Sequence, residues 1–321
     1  MFALRGIVVS FSVFVLLYSV LSLLVCGIWR GLLSYSQRYS ATRVADILLA
    51  LRLVPLVVAS GITLSLAVPS FLLLEPRAVK EALGVVPVAL GVCGLSILLS
   101  GVWKAAAALL QASRTVEGWS HEASRIDSCP AGLGGAVAVQ RMSRVAPPLT
   151  VAGIFRPSVW LSQAAEFVLS ERELHSALRH EVAHVRRRDN LRKLTLRLVA
   201  FPGMAELESA WREAAEMAAD DAAVSSAAEA LDLAAAVIKL SRLAPLEAPA
   251  ELRMALVHSP AECVNARVQR LITWTERRES ATPGRSLRYA LCAAITVAVT
   301  LAVTYSELLV RVHTATEWLV R

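Results

Sequence analysis

His180, Glu181 and His184 stand in the pattern H-E-x-x-H within the stretch Ser170 to Asn190. On a helix, at about 100° per residue, the two imidazoles project from one side about 40° apart. Two imidazoles one turn apart can share a zinc ion, and a carboxylate beside them can take a proton from a water that the ion polarises. Such an ion needs a third protein ligand. Downstream, Trp211 to Val224 offers Glu216 and Asp220 one helical turn apart. Glu216 can complete a His-His-Glu set that leaves the fourth zinc position open. Asp220, on the same face, can accept the free ring N–H of one histidine and fix its tautomer. Glu213 and Asp221 are rival carboxylates: the first has no acid four residues later, and the second is shorter and displaced around the helix. The bland alternative is that all four acids simply solvate an alanine-rich helix.

The elements that must position these groups are legible. Ser170 can N-cap a helix and Glu173 can close a capping box, while Leu174, Leu178, Val182 and Val185 make an apolar stripe at helical spacing. Glu181 falls between that stripe and the histidines. Pro202-Gly203 ends a helical stretch, and a second helix is expected from Ala205 through Ser225. Ahead of the motif, Ala136 to Val145 holds enough valine for a strand, broken by Pro147 and Pro148. Leu149 to Ser162 reads as a second strand or a hairpin turning around Gly153 to Pro157. Leu231 to Leu243 and Ala261 to Thr275 read as further helices. The region is therefore α+β, mostly helix, with a small sheet before the motif.

The rest of the chain is apolar. Of 321 residues, 56% are hydrophobic and only 18% charged, and the mean hydropathy is +0.55. That balance excludes an ordinary soluble domain and indicates a membrane protein with one soluble portion. Spans are expected at about 7–28, 53–74 and 84–103, within a membrane region 1–110, and again over Tyr289 to about Val310, within 287–310. At about 1.5 Å per residue each can cross a hydrocarbon core of about 30 Å. The first run is longer than a signal-peptide core and lacks an A-x-A site, so a retained helix is expected. Several glycines in the third span allow close helix packing. Arginine placement puts the N-terminus outside, residues 111–286 in the cytoplasm and a short tail, 311–321, outside. The net charge of +7 fits this positive-inside bias; no aromatics interleave the basic residues, so direct nucleic-acid binding is not expected. No cysteine pair has metal-ligand or redox spacing, which suits a reducing compartment for the soluble part.

RHEVAHVRRRDN together with EMAADDAAV resembles the integral-membrane zinc peptidases of the beta-lactam-sensor (BlaR/MecR-type) family. PPLTVAGIFRPSVWLS is similar to the segment before that family's zinc helix, and NARVQRL, Asn265 to Leu271, to its weaker downstream element. Three spans, a gluzincin-type domain and a fourth span also match its plan, so the resemblance covers nearly the whole chain. It implies one Zn²⁺ held by His180, His184 and Glu216, Glu181 as the base and Asp220 behind the ligands. It further implies a multi-pass protein of the bacterial plasma membrane that cleaves a protein substrate at the cytoplasmic face, such as a transcriptional repressor or itself. Nothing in the tail resembles the extracellular penicillin-binding domain or its S-x-x-K nucleophile, so beta-lactam acylation is not expected, and a sensor would be a separate protein or the four-span bundle. The HtpX/CAAX-processing group, with H-E-x-x-H-x-x-x-x-D and E-x-x-x-D, is an alternative resemblance. That group places hydrophobic spans between the two motifs, whereas only the short patch Leu194 to Phe201 intervenes here. A non-catalytic signalling scaffold with a structural zinc is a third reading, against which the intact Glu181 counts.

Other residues carry weaker expectations. His258 and Arg267 are candidates for transition-state stabilisation, with an ordinary loop histidine the commoner role for His258. His175 lies on the far side of the helix from His184 and suits a surface histidine. Arg186 to Arg188, Arg192, Lys193 and Arg197 suggest contact with anionic headgroups or a solvated face, with Asp189 pairing one of these arginines. Leu149 to Ser162 could bind substrate by adding an extended peptide to its edge.

Overall fold

Long apolar runs have no water to satisfy their backbone groups in a bilayer and so close them internally as helices. The computed structural model describes residues 2–35, 39–76, 84–121, 124–125, 137–143, 147–199, 201–243, 261–274 and 305–317. Helix α1 covers Phe2–Tyr35 and α2 Ala41–Ile62; a π-helical turn, Thr63–Ala67, leads from α2 into α3, Val68–Leu74, and α4 covers Val85–Ser120. They supply three helices long and apolar enough to cross a membrane: Phe2–Ser34, Ala41–Leu74 and Val85–Ser120. Pro55 lies inside α2 without ending it. The third span and its alanine-rich continuation form one helix that passes Gln111 and ends only at Ser120. α1 packs against both α2 and α4. Gly91 and Gly94 make the second contact close: a Cβ there would stand 3.1 Å from the Val8 carbonyl oxygen and 2.7 Å from that of Phe11.

Most of the expected fourth span, 289–304, lies outside the described residues. Helix α11, 305–317, crosses the expected boundary at 310, and Tyr305 Oη donates to Ser65 O at 2.7 Å.

Four strands form a small sheet in the order β1-β2-β4-β3: β1 Ser124–Arg125, β2 Val139–Met142, β3 Leu149–Ala152 and β4 Ser158–Ser162. β2 runs parallel to β4, while β1 and β3 are antiparallel to their neighbours. Thus 149–162 is a hairpin, turned through Gly153 at φ +95°, a left-handed conformation that favours glycine. β3 is the outer strand. The remaining helices are α5 Gln163–Val168, α6 Glu171–Arg187, α7 Asp189–Leu198, α8 Ala205–Ala223, α9 Ala227–Leu243 and α10 Ala261–Ile272. Val139, Val159 and Leu161 of the sheet share one core with Leu178 and Val182 of α6, Leu233 and Val237 of α9 and Leu271 of α10.

This α+β region is docked on the long helices. α2 packs on α8 and α4 on α7, and Val25 and Leu48 meet Leu196, Met204, Leu207 and Trp211 in a single apolar cluster. At Gly101 of α4 a Cβ would collide with the Leu198 carbonyl of α7. Arg52, only 5% exposed, donates to Met204 Sδ at 2.9 Å and to Val199 O, bridging α2 to the turn that starts α8. Trp119 near the end of α4 meets Trp160 of β4 edge to face, with ring centroids 5.4 Å apart.

Candidate metal centre

α6 starts where its sequence says it should. Ser170 Oγ accepts from Glu173 N at 3.4 Å and Ser170 N donates to Glu173 Oε2 at 2.7 Å, closing the capping box. Burial pushes the Glu173 carboxyl up, but Lys239 Nζ at 2.7 Å and the Ser170 cap outweigh it and hold the pKa below its ordinary value. The helix ends at Arg188, whose φ of 53° turns the chain within one residue into α7.

His180 and His184 leave α6 on the side facing α8, whose Glu216 stands opposite. The two Nε2 atoms are 3.1 Å apart. His180 Nε2 is 3.5 Å from Glu216 Oε2, and His184 Nε2 is 3.5 Å from Glu216 Oε1. A tetrahedral ion with bonds of about 2.0–2.1 Å separates its ligands by roughly 3.3–3.4 Å. The three groups therefore stand near the ligand spacing on one face of such a tetrahedron, with the carboxylate meeting the two rings through different oxygens. Behind it, each imidazole meets a carboxylate: His180 Nδ1 lies 2.9 Å from Asp220 Oδ1 and His184 Nδ1 lies 2.7 Å from Asp189 Oδ2. A proton held on each Nδ1 would leave both Nε2 lone pairs directed at the common point. Two lone pairs and a carboxylate converging within van der Waals distance repel one another unless a cation or a proton lies between them. Among the described residues, these donors fit a divalent ion.

The electrostatics carry the same demand. Burial would lower the His184 pKa, but Glu216 and the Asp189 contact override it and raise it to about 10. His180, also opposed by burial, is raised by Asp220 and Glu216. Burial favours a neutral Glu216 and a neutral Asp220, yet Arg267, first among their neighbours, holds both carboxyls below their ordinary range. Glu181 differs: burial pushes its carboxyl up and dominates, despite both histidines pulling the other way. It is 1% exposed, and its Oε1 has no hydrogen-bond partner among the described residues. A buried carboxylate with a raised pKa and an unsatisfied oxygen is suited to take up a proton.

The rival carboxylates separate clearly. Glu213 is exposed, and Asp221 is held by Arg270, whose Nη2 is 2.6 Å from each of its oxygens. Arg267 is 1% exposed and sits behind the ligand helix. Its Nε and Nη2 donate to Asp220 at 2.9 and 2.6 Å, and its Nη1 lies 2.9 Å from Glu216 Oε2. The sequence offered it as a candidate for transition-state stabilisation; its contacts here are to these two carboxylates. His258 lies outside the described residues, and His175 is half-buried away from the centre.

Two residues take contacts that the sequence does not place: Asp189, expected to pair an arginine, does so, and Asn190 is unassigned there. Asp189 faces His184 first, with Arg187 Nε at 3.6 Å and Arg192 at 3.9 Å farther off. Its spacing of five from His184 was the available signal. Asn190, beside it, donates from Nδ2 to Gly153 O at 2.9 Å and Val151 O at 3.3 Å. Ser162 N bonds to Pro148 O, so with Leu149 opposite Leu161 the carbonyls of 151 and 153 point to the sheet's outer edge. Asn190 thus fastens that edge to the end of the histidine helix. Within the basic cluster, Arg192 and Arg187 lie 2.9 and 3.7 Å from Asp46, where α2 meets α7. A cleft of about 330 Å³ runs beside β3, bordered by Lys104, Thr150, Gly153, Lys193 and Arg197.

No family model matches the chain, and no curated protein matches it.

Proposed function

We propose that the chain is a membrane-embedded zinc-dependent endopeptidase of the gluzincin type, cleaving a protein substrate at the cytoplasmic face. The observation that carries this reading is the inward triangle of His180 Nε2, His184 Nε2 and Glu216, with the unsatisfied Glu181 carboxylate buried beside it. Bound there, zinc would supply Lewis-acid polarisation of the scissile carbonyl and of the attacking water. His180, His184 and Glu216 hold the ion. Asp220 and Asp189 keep the imidazoles in the ligating tautomer, and Arg267 keeps Glu216 and Asp220 ionised. Glu181 accepts the water's proton and returns it to the leaving amine. The outer strand β3 and its neighbouring cleft offer an extended peptide a place alongside the centre. A regulatory substrate, such as a cytoplasmic transcriptional repressor or the protein itself, follows from the resemblance to the beta-lactam-sensor family.

Asp189 favours one rival, a processing or quality-control protease of the HtpX/CAAX type, whose pattern includes that aspartate. Against it, α7 between the two motifs is a ten-residue helix carrying three basic residues. Fragment maps from cells expressing wild type and Glu181→Gln decide the matter. The variant should retain zinc and lose every cleavage product; unchanged proteolysis refutes the mechanism.

A further inference from the structure

The opposite end of the helix bundle holds a second convergence of ligating side chains. His313 and Glu317 lie one turn apart on α11 and face Glu75, the residue that caps α3. His313 Nε2 is 3.5 Å from Glu317 Oε1 and 3.9 Å from Glu75 Oε2. One nitrogen and an oxygen from each carboxylate all lie within 4.8 Å of one another. These separations exceed a normal N–H···O bond of about 2.9–3.0 Å. The His313–Glu317 spacing equals the 3.5 Å between the imidazoles and Glu216 in the first centre, and the Glu75 contact is longer, at 3.9 Å.

Charge and burial point the same way. Arg5 Nη1 lies 3.1 Å from Glu75 Oε1, which leaves Oε2 to face the imidazole. Among the described residues, two carboxylates, one of them paired with Arg5, stand around the imidazole. The Glu75 and His313 side chains are only 7% and 15% exposed, whereas Glu317 at 44% gives an ion a way in. Glu75 also terminates α3, where the helix carbonyls add negative potential that a cation relieves. From these groups we infer a second divalent-cation site formed by Glu75, His313 and Glu317. One imidazole and two carboxylates suit a borderline ion such as Zn²⁺ better than Ca²⁺, which takes oxygen ligands throughout.

The site is independent of the first. Arg30, near the other end of α1, pairs with Glu206 of the α+β region, and the 25 residues from Arg5 to Arg30 span about 37 Å of helix. A cation bound here ties α11 to the ends of α1 and α3, on the far side of the three spans from the His180 centre.

The test uses the full-length protein in detergent micelles, stripped of metal, titrated with Zn²⁺ and counted by elemental analysis after gel filtration. His184→Ala removes the first centre and should still bind one equivalent. Adding His313→Ala and Glu317→Gln should abolish that binding. Zn²⁺ should also slow amide exchange across 305–317 at least several-fold in wild type and His184→Ala, and leave it unchanged in His313→Ala/Glu317→Gln. No zinc on His184→Ala, an undiminished equivalent on the triple variant, or the same exchange response with and without His313 and Glu317 would each overturn the site.

Discussion

Asp189 and His184 belong to different helices, yet Oδ2 of the first lies 2.7 Å from Nδ1 of the second. The carboxylate is 1% exposed, and the ring is its nearest partner, ahead of Arg187 and Arg192. Asp189→Asn keeps the shape but removes the charge and permits the wrong tautomer. Zinc affinity should fall about 10–100-fold, read by competition with a chromogenic chelator, with helix content unchanged. An affinity equal to wild type would show that the contact is incidental.

Arg267 is the counter-charge for two buried carboxylates. Arg267→Ala strands Asp220 and Glu216 and should destabilise the metal-free protein by about 3–5 kcal/mol. Zinc neutralises part of that charge, so the loss should be smaller in the zinc-loaded protein. Thermal unfolding with and without metal checks both statements; equal losses in the two forms contradict the assignment of Glu216 as a ligand.

The first centre also sets a pH dependence. The His184 pKa is raised from 6.5 to about 10 without metal. Its stabilising contribution is therefore complete below about 6.5 and disappears as pH climbs through about 10. Zinc requires the neutral ring, so binding releases protons and strengthens over the same interval. The gap in Tm between zinc-loaded and EDTA-treated protein should widen from pH 6.5 to 9. Scanning fluorimetry across that range tests it, and a gap that narrows would contradict the site.

Gly101 should be intolerant. A methyl group there meets the Leu198 carbonyl, which is backbone and cannot rotate aside. Gly101→Ala should cost about 1–3 kcal/mol through overpacking. Gly27→Ala, with nothing within 4 Å, is the control and should be close to neutral. Unfolding of both variants in one detergent gives the comparison.

The local grammar of this chain was easily read. Ser170 and Glu173 announce the start of α6, and H-E-x-x-H with E-x-x-x-D puts donors on the correct faces of α6 and α8, because helical spacing alone fixes those directions. What the sequence hid depends on elements meeting. Arg267 appeared as a site candidate without its carboxylate partners, because nothing local places it behind Asp220, 47 residues away. Asp189 appeared as a partner for arginines, because its neighbours are arginines, and only the left-handed turn at Arg188 swings it back to His184. The pairing of Arg187 and Arg192 with Asp46 was hidden for the same reason: Asp46 is more than a hundred residues distant in sequence.

That left-handed turn has a mechanical consequence. α7 is a ten-residue rod, about 15 Å long, with Asp189 at one end and Leu198, seated in the notch of Gly101, at the other. α7 therefore joins the membrane helix to the histidine: its Leu198 end rests against α4, and its Asp189 end contacts the imidazole of His184.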